Sequence, residues 1–313
     1  MASYLVTGGY GFIGSHLVDA LIARGDRVRV LDDMSTGRRE NLPDGVDLVI
    51  GDAADLGLVQ SAMAGSDGCF HLAAVASVAR SNDDWLGTHH ANQTASIAVF
   101  EAARHGRGGE PVPVVFASSA AVYGGNREVP FKETATPQPL SAYGADKLGS
   151  ELHAAVAAHV HGVPTTGLRF FNVYGPRQDP ASPYSGVVSI FAKRIAQGEP
   201  VTILGDGEQV RDFIFVADVV RYLLAAMAAS PRGAAVYNVC TGRATSVNQL
   251  AASLAALARA PLRANYGPPR PGDPRTSVGD PAKAVATFGI AAETDIATGL
   301  ARTRRYLMGA TAD

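Results

Sequence analysis

The sequence predicts an α/β protein built on a doubly wound parallel sheet, followed by a smaller C-terminal domain. In the first half, short apolar and β-branched runs alternate with longer helical patterns. Strands that alternate with helices form βαβ units, which build a parallel sheet covered on both faces. After residue 168 the alternation loosens, and stretches rich in proline and glycine appear. We therefore expect one domain over residues 1–167 and a second over residues 168–313, some strands of which could return to the sheet.

The apolar pattern places the individual elements in chain order. Five strands are predicted in the first domain, at residues 4–7, 28–31, 47–50, 69–72 and 112–117. Longer patterns with helical spacing predict helices at residues 13–24, 56–63, 88–105, 143–160, 187–197 and 247–258. The strands are short and almost continuously apolar, as expected when both faces of a parallel sheet are buried.

The composition limits the functions that this chain can have. Its 313 residues are 47% hydrophobic, and 27 Lys and Arg balance 29 Asp and Glu, so no global field attracts nucleic acid or an anionic membrane. The sequence contains no run of about 18 apolar residues, so no membrane span is predicted. The N-terminus lacks the pattern of a signal peptide. Cys69 and Cys240 lie in apolar runs and are expected to be buried free thiols. We expect a cytoplasmic protein with no nucleic-acid, membrane or metal partner.

A glycine-rich turn follows the first strand and opens the first helix, in the segment TGGYGFIG. Gly8 permits the tight turn, Gly11 lets the backbone approach a pyrophosphate, and Gly14 lets the helix pack closely on the strand. Asp32 closes the second strand 21 residues after Gly11, where a carboxylate can bind a ribose 2′-hydroxyl. This context predicts a Rossmann domain that binds NAD. A carboxylate would repel the 2′-phosphate of NADP.

Arg38 and Arg39 follow Asp32 in the next loop. Two cations there weaken the preference for NAD slightly, because NADP-binding sites use arginine near the 2′-phosphate. We expect instead that they are solvated loop charges. The prediction of NAD is therefore kept.

A tyrosine and a lysine four residues apart in SAYGADK share one face of a predicted helix. A tyrosine has an ordinary pKa near 10, too high for an efficient base at neutral pH. We expect Lys147 and the positive nicotinamide ring to lower the pKa of Tyr143. Ser118 and Ser119 follow the fifth strand at the carboxyl edge of the sheet, where ligands of such folds bind. A serine hydroxyl there can bridge a substrate oxygen and the tyrosine.

Together these features resemble the extended short-chain dehydrogenase/reductase superfamily, and most of all its nucleotide-sugar 4-epimerases of the UDP-galactose 4-epimerase type. The resemblance spans nearly the whole chain. It rests on the motifs VTGGYGFIGSHL, HLAA, FASSAAVYG, SAYGADK, LRFFNVYGP, RDFIFVADV and RPGD, which occur in this order between residues 6 and 273. The resemblance implies a retained NAD, a UDP-sugar substrate and a homodimer.

The resemblance also implies roles for individual residues. The catalytic set is Ser119, Tyr143 and Lys147, with Ser119 preferred to Ser118 because of its distance from the VYG motif. Asp52 would lie beside the adenine or cap the following helix, and Asn92 would lie near the nicotinamide ribose or at an exposed helix start. The implied cofactor-binding residues are Gly8, Gly11, Phe12, Ile13, Asp32, Asp52, Ala53, Leu72, Ala73, Ala74, Asn92, Tyr143 and Lys147.

The implied substrate residues lie mostly in the second half of the chain. They are Ser119, Asn172, Arg211, Arg270, Asp273 and Ser277. The two arginines match diphosphate-binding positions, which suits the planar guanidinium. Ser277 occupies the place of a residue that limits the size of the sugar, and a serine leaves space for a 2-acetamido group. We therefore expect UDP-N-acetylhexosamines to be accepted along with UDP-glucose and UDP-galactose.

Two alanines after Ser119 narrow the reaction. In the 4,6-dehydratases of the superfamily an Asp-Glu pair stands where this chain has Ala120 and Ala121, and methyl groups cannot transfer the protons of an elimination. The resemblance then implies that Tyr143 removes the proton of the carbon-4 hydroxyl while hydride passes to NAD. The resulting 4-keto sugar turns in the pocket and is reduced on its opposite face.

Other functions remain open at this point. A UDP-uronate epimerase, a decarboxylase or a keto-sugar reductase of the same superfamily would share these motifs, and a uronate would need a cation, for which Arg177 is the loop candidate. The loop at residues 205–209 is shorter than in well-known UDP-galactose epimerases, and Ala76 replaces a lysine of some members. A noncatalytic dinucleotide sensor is the remote alternative. The intact set of Ser119, Tyr143 and Lys147 argues against it.

The implied homodimer would pair the helices predicted at 88–105 and 143–160 into a four-helix bundle. Ala154, Ala155 and Ala158 form a small-residue face on the second helix. That face could permit close approach of two helices, or it could equally pack on the sheet.

Overall fold

A computed structural model describes residues 1–180, 186–269 and 274–309. Strands and helices alternate through the first 170 residues, as β1 (Ser3–Thr7), α1 (Phe12–Ala23), β2 (Arg27–Asp32), β3 (Asp47–Ile50), α2 (Leu56–Met63), β4 (Gly68–His71), α3 (Val78–Asp83), α4 (Trp85–His89), α5 (Ala95–Ala102), β5 (Val114–Ser119), α6 (Ala142–His161) and β6 (Thr165–Phe170). The second half has shorter strands. Its elements are β7 (Asn172–Tyr174), α7 (Val187–Ala196), β8 (Val201–Leu204), β9 (Val210–Arg211), β10 (Phe213–Phe215), α8 (Val216–Ala229), β11 (Ala234–Val239), β12 (Thr245–Ser246), α9 (Val247–Ala258), β13 (Ala264–Gly267), β14 (Thr276–Ser277), α10 (Ala282–Phe288) and α11 (Ile296–Leu307).

A seven-stranded sheet runs through the protein in the order β11, β6, β5, β4, β1, β2, β3. Every neighbouring pair in it is parallel. The chain builds outward from β1 to β3, then crosses to the other side of β1 and continues with β4. The carboxyl ends of β1 and β4 therefore form the point where the strand order reverses, and ligands of doubly wound sheets bind there. The predicted fold class is confirmed.

Adjacent residues of β1 serve opposite faces of the sheet, because side chains alternate along a strand. Leu5 is fully buried in a cluster with residues of α2, α5 and α6, such as Val59 and Val99. Val6 is fully buried in a second cluster, with residues of α1 and α8, such as Leu17 and Val219. Helices thus cover both faces, which explains the almost continuous apolar character of the strands.

The second half adds a smaller core beside the main sheet. Apolar side chains of α7, α9 and α11 pack together there, among them Phe191, Leu250 and Leu300. Short strand pairs join this region, in the groups β7 with β10, β8 with β13, and β9 with β12 and β14. The pair of β7 with β10 connects this region to the carboxyl edge of the main sheet, because β7 follows directly after β6.

The helix predicted at 143–160 is present as α6, and its ends have clear causes. The Ser141 side chain accepts a hydrogen bond of 3.1 Å from the Gly144 backbone N–H, which caps the helix. Gly162 ends it at φ +69°, in the left-handed region that favours glycine. The single regular helix expected at 88–105 is wrong in detail, because a π-helical turn at His90–Thr94 separates α4 from α5. Both cysteines are buried and free, as predicted. Within the described ranges, no helix is both long and apolar enough to span a membrane.

Candidate active site

A cavity of about 530 Å³ opens at the carboxyl edge of the main sheet, at the point where the strand order reverses. The glycine turn forms one wall. Gly8 has φ +70°, and a Cβ on it would lie 2.7 Å from the Ala73 backbone nitrogen that follows β4. A Cβ on Gly14 would collide with the carbonyl oxygen of Gly8. Both positions therefore require glycine, and the backbone stays open on the cavity side.

The N-terminus of α1 points its first N–H groups at this cavity without a side-chain cap. Gly11 is the capping residue and offers no side-chain hydrogen bond. Gly11, Phe12 and Ile13 all line the cavity. Uncapped N–H groups at a helix N-terminus suit a phosphate group. The turn thus fits the pyrophosphate of a dinucleotide.

Asp32 lies at the end of β2 and is only 6% exposed. Its Oδ2 accepts a hydrogen bond of 2.9 Å from the Tyr10 N–H, and its Oδ1 accepts one of 2.9 Å from the Met34 N–H. Burial raises the pKa of this carboxyl, and the two hydrogen bonds oppose that shift. Each oxygen keeps a lone pair that can accept from a ribose hydroxyl. The residues present therefore fit NAD.

The loops after β3 and β4 supply the rest of this wall, and Asp52, Ala53, Leu72, Ala73 and Ala74 all line the cavity. Asp52 does not cap α2, in contrast to one of its two expected roles. Asp55 is the cap, because its side chain accepts a hydrogen bond of 3.1 Å from the Leu58 N–H. The Asp52 carboxylate instead contacts His90 Nε2 at 3.1 Å.

Asn92 is fully buried in the π-helical turn and is not among the cavity-lining residues. Its Oδ1 accepts a hydrogen bond of 2.8 Å from the Val75 N–H, and its Nδ2 donates one of 3.3 Å to the Val75 carbonyl. The expected exposed helix start is therefore wrong. Val75 itself lines the cavity, so Asn92 shapes the wall through the backbone of the loop after β4.

Ser119, Tyr143 and Lys147 meet on the opposite wall of the same cavity. Ser119 is the last residue of β5, and its side chain is hydrogen-bonded to that of Tyr143. Lys147 Nζ lies 5.8 Å from the centre of the Tyr143 ring, one helical turn along α6. Ser81 Oγ accepts 3.2 Å from the Tyr143 N–H and so fixes the start of the helix. No local pattern indicates Ser81, because this contact spans 62 residues.

Burial is the largest influence on the pKa values around this pair. Burial raises the pKa of Tyr143, and the Ser119 hydrogen bond only opposes it. Burial lowers the pKa of Lys147 to about 8, against the opposing effect of Asp146. Burial, and then the charge of Lys147, lowers the pKa of His71 to about 3. Burial is thus the largest influence on all three pKa values, and the lowering of the Tyr143 pKa by Lys147 and a bound nicotinamide ring stays a prediction.

Ser118 points away from the tyrosine and into a buried polar network. Its hydroxyl donates a hydrogen bond of 2.5 Å to Glu151 Oε1 on α6. Arg169 of β6 binds the same carboxylate through Nε at 2.8 Å and Nη2 at 2.6 Å. The Arg169 guanidinium also donates 2.9 Å to the Tyr123 hydroxyl. This network joins α6 to β5 and β6, the elements that place Tyr143 beside Ser119.

The implied substrate residues are described only in part. Asn172 lines the cavity at the start of β7. Arg211 and Ser277 lie next to each other in the parallel pair of β9 and β14, and both are at least nine-tenths buried. They connect to Asn172 through Asp212, whose carbonyl accepts 2.9 Å from the Asn172 N–H. Arg270 and Asp273 lie outside the described residues.

Several cavity residues were missed or misjudged from the sequence. Arg38 is 48% exposed, as expected of a solvated loop charge, but it also forms an ion pair of 2.5 Å with Asp179. Arg177, the candidate cation for a uronate, forms an ion pair of 2.7 Å with Asp19 of α1. Arg80 of α3 also lines the cavity. No local pattern indicates the two ion pairs, since their partners are distant in the chain.

Comparisons with known proteins agree with this geometry. The model of the "NAD dependent epimerase/dehydratase family" matches residues 4–240. A UDP-glucose 4-epimerase of Mycolicibacterium smegmatis is 37% identical over 309 residues, covering 96% of this chain and 97% of the relative. The UDP-glucuronate 4-epimerase 2 of Arabidopsis thaliana is 34% identical, covering 98% of this chain and 76% of the relative.

Solved structures have the same fold over nearly the whole chain. The Thermotoga maritima UDP-glucose 4-epimerase with UDP-glucose has a TM-score of 0.92 at 39% identity, covering 98% of this chain and 99% of that one. The Thermus thermophilus UDP-glucose 4-epimerase with NAD has a TM-score of 0.90 at 37% identity. The match covers 99% of this chain and 100% of that one. The Methanobrevibacter ruminantium UDP-N-acetylglucosamine 4-epimerase has a TM-score of 0.92 at 34% identity, and the match covers 98% of each chain.

These matches confirm both the resemblance and the prediction of NAD. The match to the family model covers well over half of the chain, and a full-length relative exceeds 30% identity. The chain therefore belongs to the NAD dependent epimerase/dehydratase family, as an NAD-using enzyme of the nucleotide-sugar 4-epimerase class.

Proposed function

We propose that this enzyme inverts carbon 4 of a UDP-hexose and interconverts UDP-glucose and UDP-galactose. The observation that carries the proposal is that Ser119, Tyr143 and Lys147 line the same cavity as the glycine turn. A substrate carbon in that cavity can lie between the tyrosine hydroxyl and a bound nicotinamide. The similarity to UDP-glucose 4-epimerases over the whole chain supports the choice of sugar.

Each of the three side chains has one task in this reaction. Tyr143 takes the proton of the carbon-4 hydroxyl and later returns it to the 4-keto oxygen. Ser119, hydrogen-bonded to the tyrosine, holds the sugar oxygen within reach of it. Lys147 stabilises the tyrosine anion, since a buried cation favours a neighbouring negative charge. When bound, NAD supplies the hydride acceptor and donor at carbon 4.

The turn after Ser119 favours epimerisation over elimination. Residues Ala120–Val122 form one turn of 3₁₀ helix directly after β5. Loss of water across carbons 5 and 6 requires a proton donor for the leaving hydroxyl and a base for carbon 5. Ala120 and Ala121 supply neither at this position. The 4-keto sugar is then left to turn and be reduced again.

The UDP part of the substrate is proposed to lie along the second half of the chain. Asn172 leads from the cavity toward Arg211, and the fork of an arginine suits the oxygens of a diphosphate. By resemblance, Arg270 and Asp273 complete this region. Ser277 lies beside Arg211 and is proposed to control the space available to the 2-substituent of the sugar.

Replacing Ser277 by tyrosine should shift the substrate preference toward the hexoses without an acetamido group. The added ring fills the space that a serine leaves, so kcat/KM for UDP-N-acetylglucosamine should fall at least tenfold relative to that for UDP-glucose. The ratio of the two kcat/KM values is the measurement, because it cancels any general loss of active enzyme. Ser277→Ala is the matched control and should keep the wild-type ratio. An unchanged ratio in Ser277→Tyr would remove Ser277 from the specificity site.

A UDP-uronate epimerase is the second candidate, favoured by the similarity to a UDP-glucuronate 4-epimerase. A uronate carboxylate needs a cation near carbon 6. Arg177 is paired with Asp19, which weakens its case as that cation. UDP-hexose therefore remains the leading proposal.

We also propose a homodimer, formed by the exposed faces of α4 and α6. Leu152, Val156 and Val160 form a stripe along α6 with exposures of 63%, 52% and 61%, and Trp85 on α4 is 70% exposed. Of the alanine face, Ala154 is buried in the core, whereas Ala155 is exposed and Ala158 is half-buried. Exposed apolar stripes of this kind mark protein interfaces.

Light scattering on the purified protein should give twice the chain mass of 32.4 kDa. Val156→Asp should lower the measured mass toward that of one chain, because it places a charge in the interface. Ile50→Asp is the matched control, at an apolar residue that is 56% exposed on β3. A wild-type mass of one chain at micromolar concentration would contradict the dimer.

The experiment that tests the proposed function uses the purified protein without added NAD. UDP-glucose, UDP-N-acetylglucosamine and UDP-glucuronate are incubated separately, and the anomeric protons are followed by NMR. We expect UDP-galactose from the first and UDP-N-acetylgalactosamine from the second. Conversion of UDP-glucuronate alone would instead establish the second candidate.

A further inference from the structure

A four-residue segment of the second half closes over the glycine turn. We call residues 176–179, between β7 and α7, the strap. Arg177, Gln178 and Asp179 of the strap line the cavity together with Gly8 and Asp32. The strap therefore borders the same cavity as the groups that fit NAD. None of its residues belongs to the catalytic set described above.

The strap is attached to the first βαβ unit at three points. The Pro176 carbonyl accepts a hydrogen bond of 2.9 Å from His16 Nε2. Arg177 forms an ion pair of 2.7 Å with Asp19, so both contacts reach α1. Burial is the largest influence on His16 and lowers its pKa. The ring is thus neutral at pH 7, and its Nε2 carries the proton because a carbonyl can only accept.

The third attachment crosses the mouth of the cavity. Arg38 stands in the loop after Asp32, and its backbone N–H donates 3.2 Å to the Tyr10 carbonyl. Its Nη2 reaches 2.5 Å to Asp179 Oδ2, over a chain separation of 141 residues. Arg38 itself lines the cavity. The ion pair thus joins the two walls at the end where Asp32 fits the adenosine ribose.

We propose that the strap retains NAD, and that the ion pair of Arg38 with Asp179 is its clasp. A dinucleotide lying along the glycine turn leaves more slowly while the two walls are joined in this way. The inference rests on the proposed function, in which each cycle regenerates NAD and release of the cofactor serves no purpose. Arg38 and Asp179 are positioning residues here, since they act by holding the walls together.

The size of the effect follows from the exposure of the clasp. The two side chains are 48% and 34% exposed, and such ion pairs contribute at most about fivefold to an equilibrium. Salt screens partly exposed charges. The clasp should therefore slow the loss of NAD by about two- to fivefold at low salt, and by less at high salt.

The test measures exchange of bound NAD on the holoprotein, in the absence of any sugar nucleotide. The protein is mixed with an excess of deuterated NAD and desalted at intervals, and the retained cofactor is measured by mass spectrometry. Asp179→Asn and Arg38→Gln should each exchange about two- to fivefold faster than the wild type. The double variant with Arg38→Asp and Asp179→Arg should return to within about twofold of the wild type.

The matched control is Asp47→Asn, which breaks the partly exposed ion pair with Arg29, 2.8 Å long and outside the cavity. It should exchange at the wild-type rate. Raising the salt should speed exchange in the wild type more than in Asp179→Asn. Wild-type rates in both single variants would overturn the proposal, and so would a double variant that exchanges as fast as the singles, since Arg38 would then hold NAD directly. Exchange is read without epimerisation, so a failure of the strap and a failure of the proposed function are separate results.

Discussion

Replacing Tyr143 by phenylalanine should lower kcat about 1000-fold while the protein keeps its NAD. A positioned acid–base group contributes about 10²- to 10⁴-fold to a rate, and 1000-fold corresponds to about 4 kcal/mol of barrier. The phenyl ring preserves the packing against α3 and β5 but cannot carry the proton of the carbon-4 hydroxyl. Steady-state conversion of UDP-glucose to UDP-galactose is the measurement, and bound NAD is determined on the same samples.

The control for this variant removes the same atom elsewhere. Tyr4 lies at the start of β1, at the opposite edge of the sheet from the cavity, and its ring packs on Phe70 at 5.4 Å between centres. Tyr4→Phe should keep kcat within about twofold of the wild type. A Tyr143→Phe enzyme within tenfold of the wild type would remove the tyrosine from the chemistry.

Replacing Glu151 by glutamine should destabilise the protein by about 3–5 kcal/mol. The carboxylate and its partner Arg169 have side chains only 6% and 4% exposed. Removing one member of a buried ion pair leaves an uncompensated charge, which is the costly case. The change in the free energy of unfolding is measured in urea, at equal protein and saturating NAD concentrations.

Two further variants test whether the loss of stability comes from the buried charge or from the loss of any ion pair. Asp47→Asn breaks an exposed pair and should cost less than about 1 kcal/mol. Replacing both Glu151 and Arg169 by leucine should recover part of the lost stability, because no buried charge then remains. If Glu151→Gln is as stable as Asp47→Asn, the buried pair does not hold α6 against β6.

The main sheet could be predicted from the sequence because local and global signals agree there. Strands buried on both faces are continuously apolar. The positive φ of Gly8 and the contact of Gly14 with the Gly8 carbonyl oxygen both arise within the turn itself. The π-helical turn at His90–Thr94 could not be predicted. It shares its apolar pattern with an ordinary helix, and its buried Asn92 contacts Val75, 17 residues away.

The candidate site could be predicted only where a motif is local. The spacing of Tyr143 and Lys147 places both on one helix face, and Asp32 ends a strand that the pattern shows. The contact of Arg38 with Asp179 joins residues 141 positions apart, and no local pattern indicates it. The pKa of Tyr143 also depends on burial in the folded protein, which no local pattern indicates.

The central claim is that a retained NAD serves a reversible oxidation at carbon 4 alone. Its most direct test is a proton NMR time course in D₂O, with UDP-glucose and the purified protein and without added NAD. The account predicts that UDP-galactose accumulates to many molecules per protomer, with protium retained at carbons 4 and 5, because the same hydride returns to the sugar. Deuterium at carbon 5, or product limited to one molecule per protomer, would contradict it.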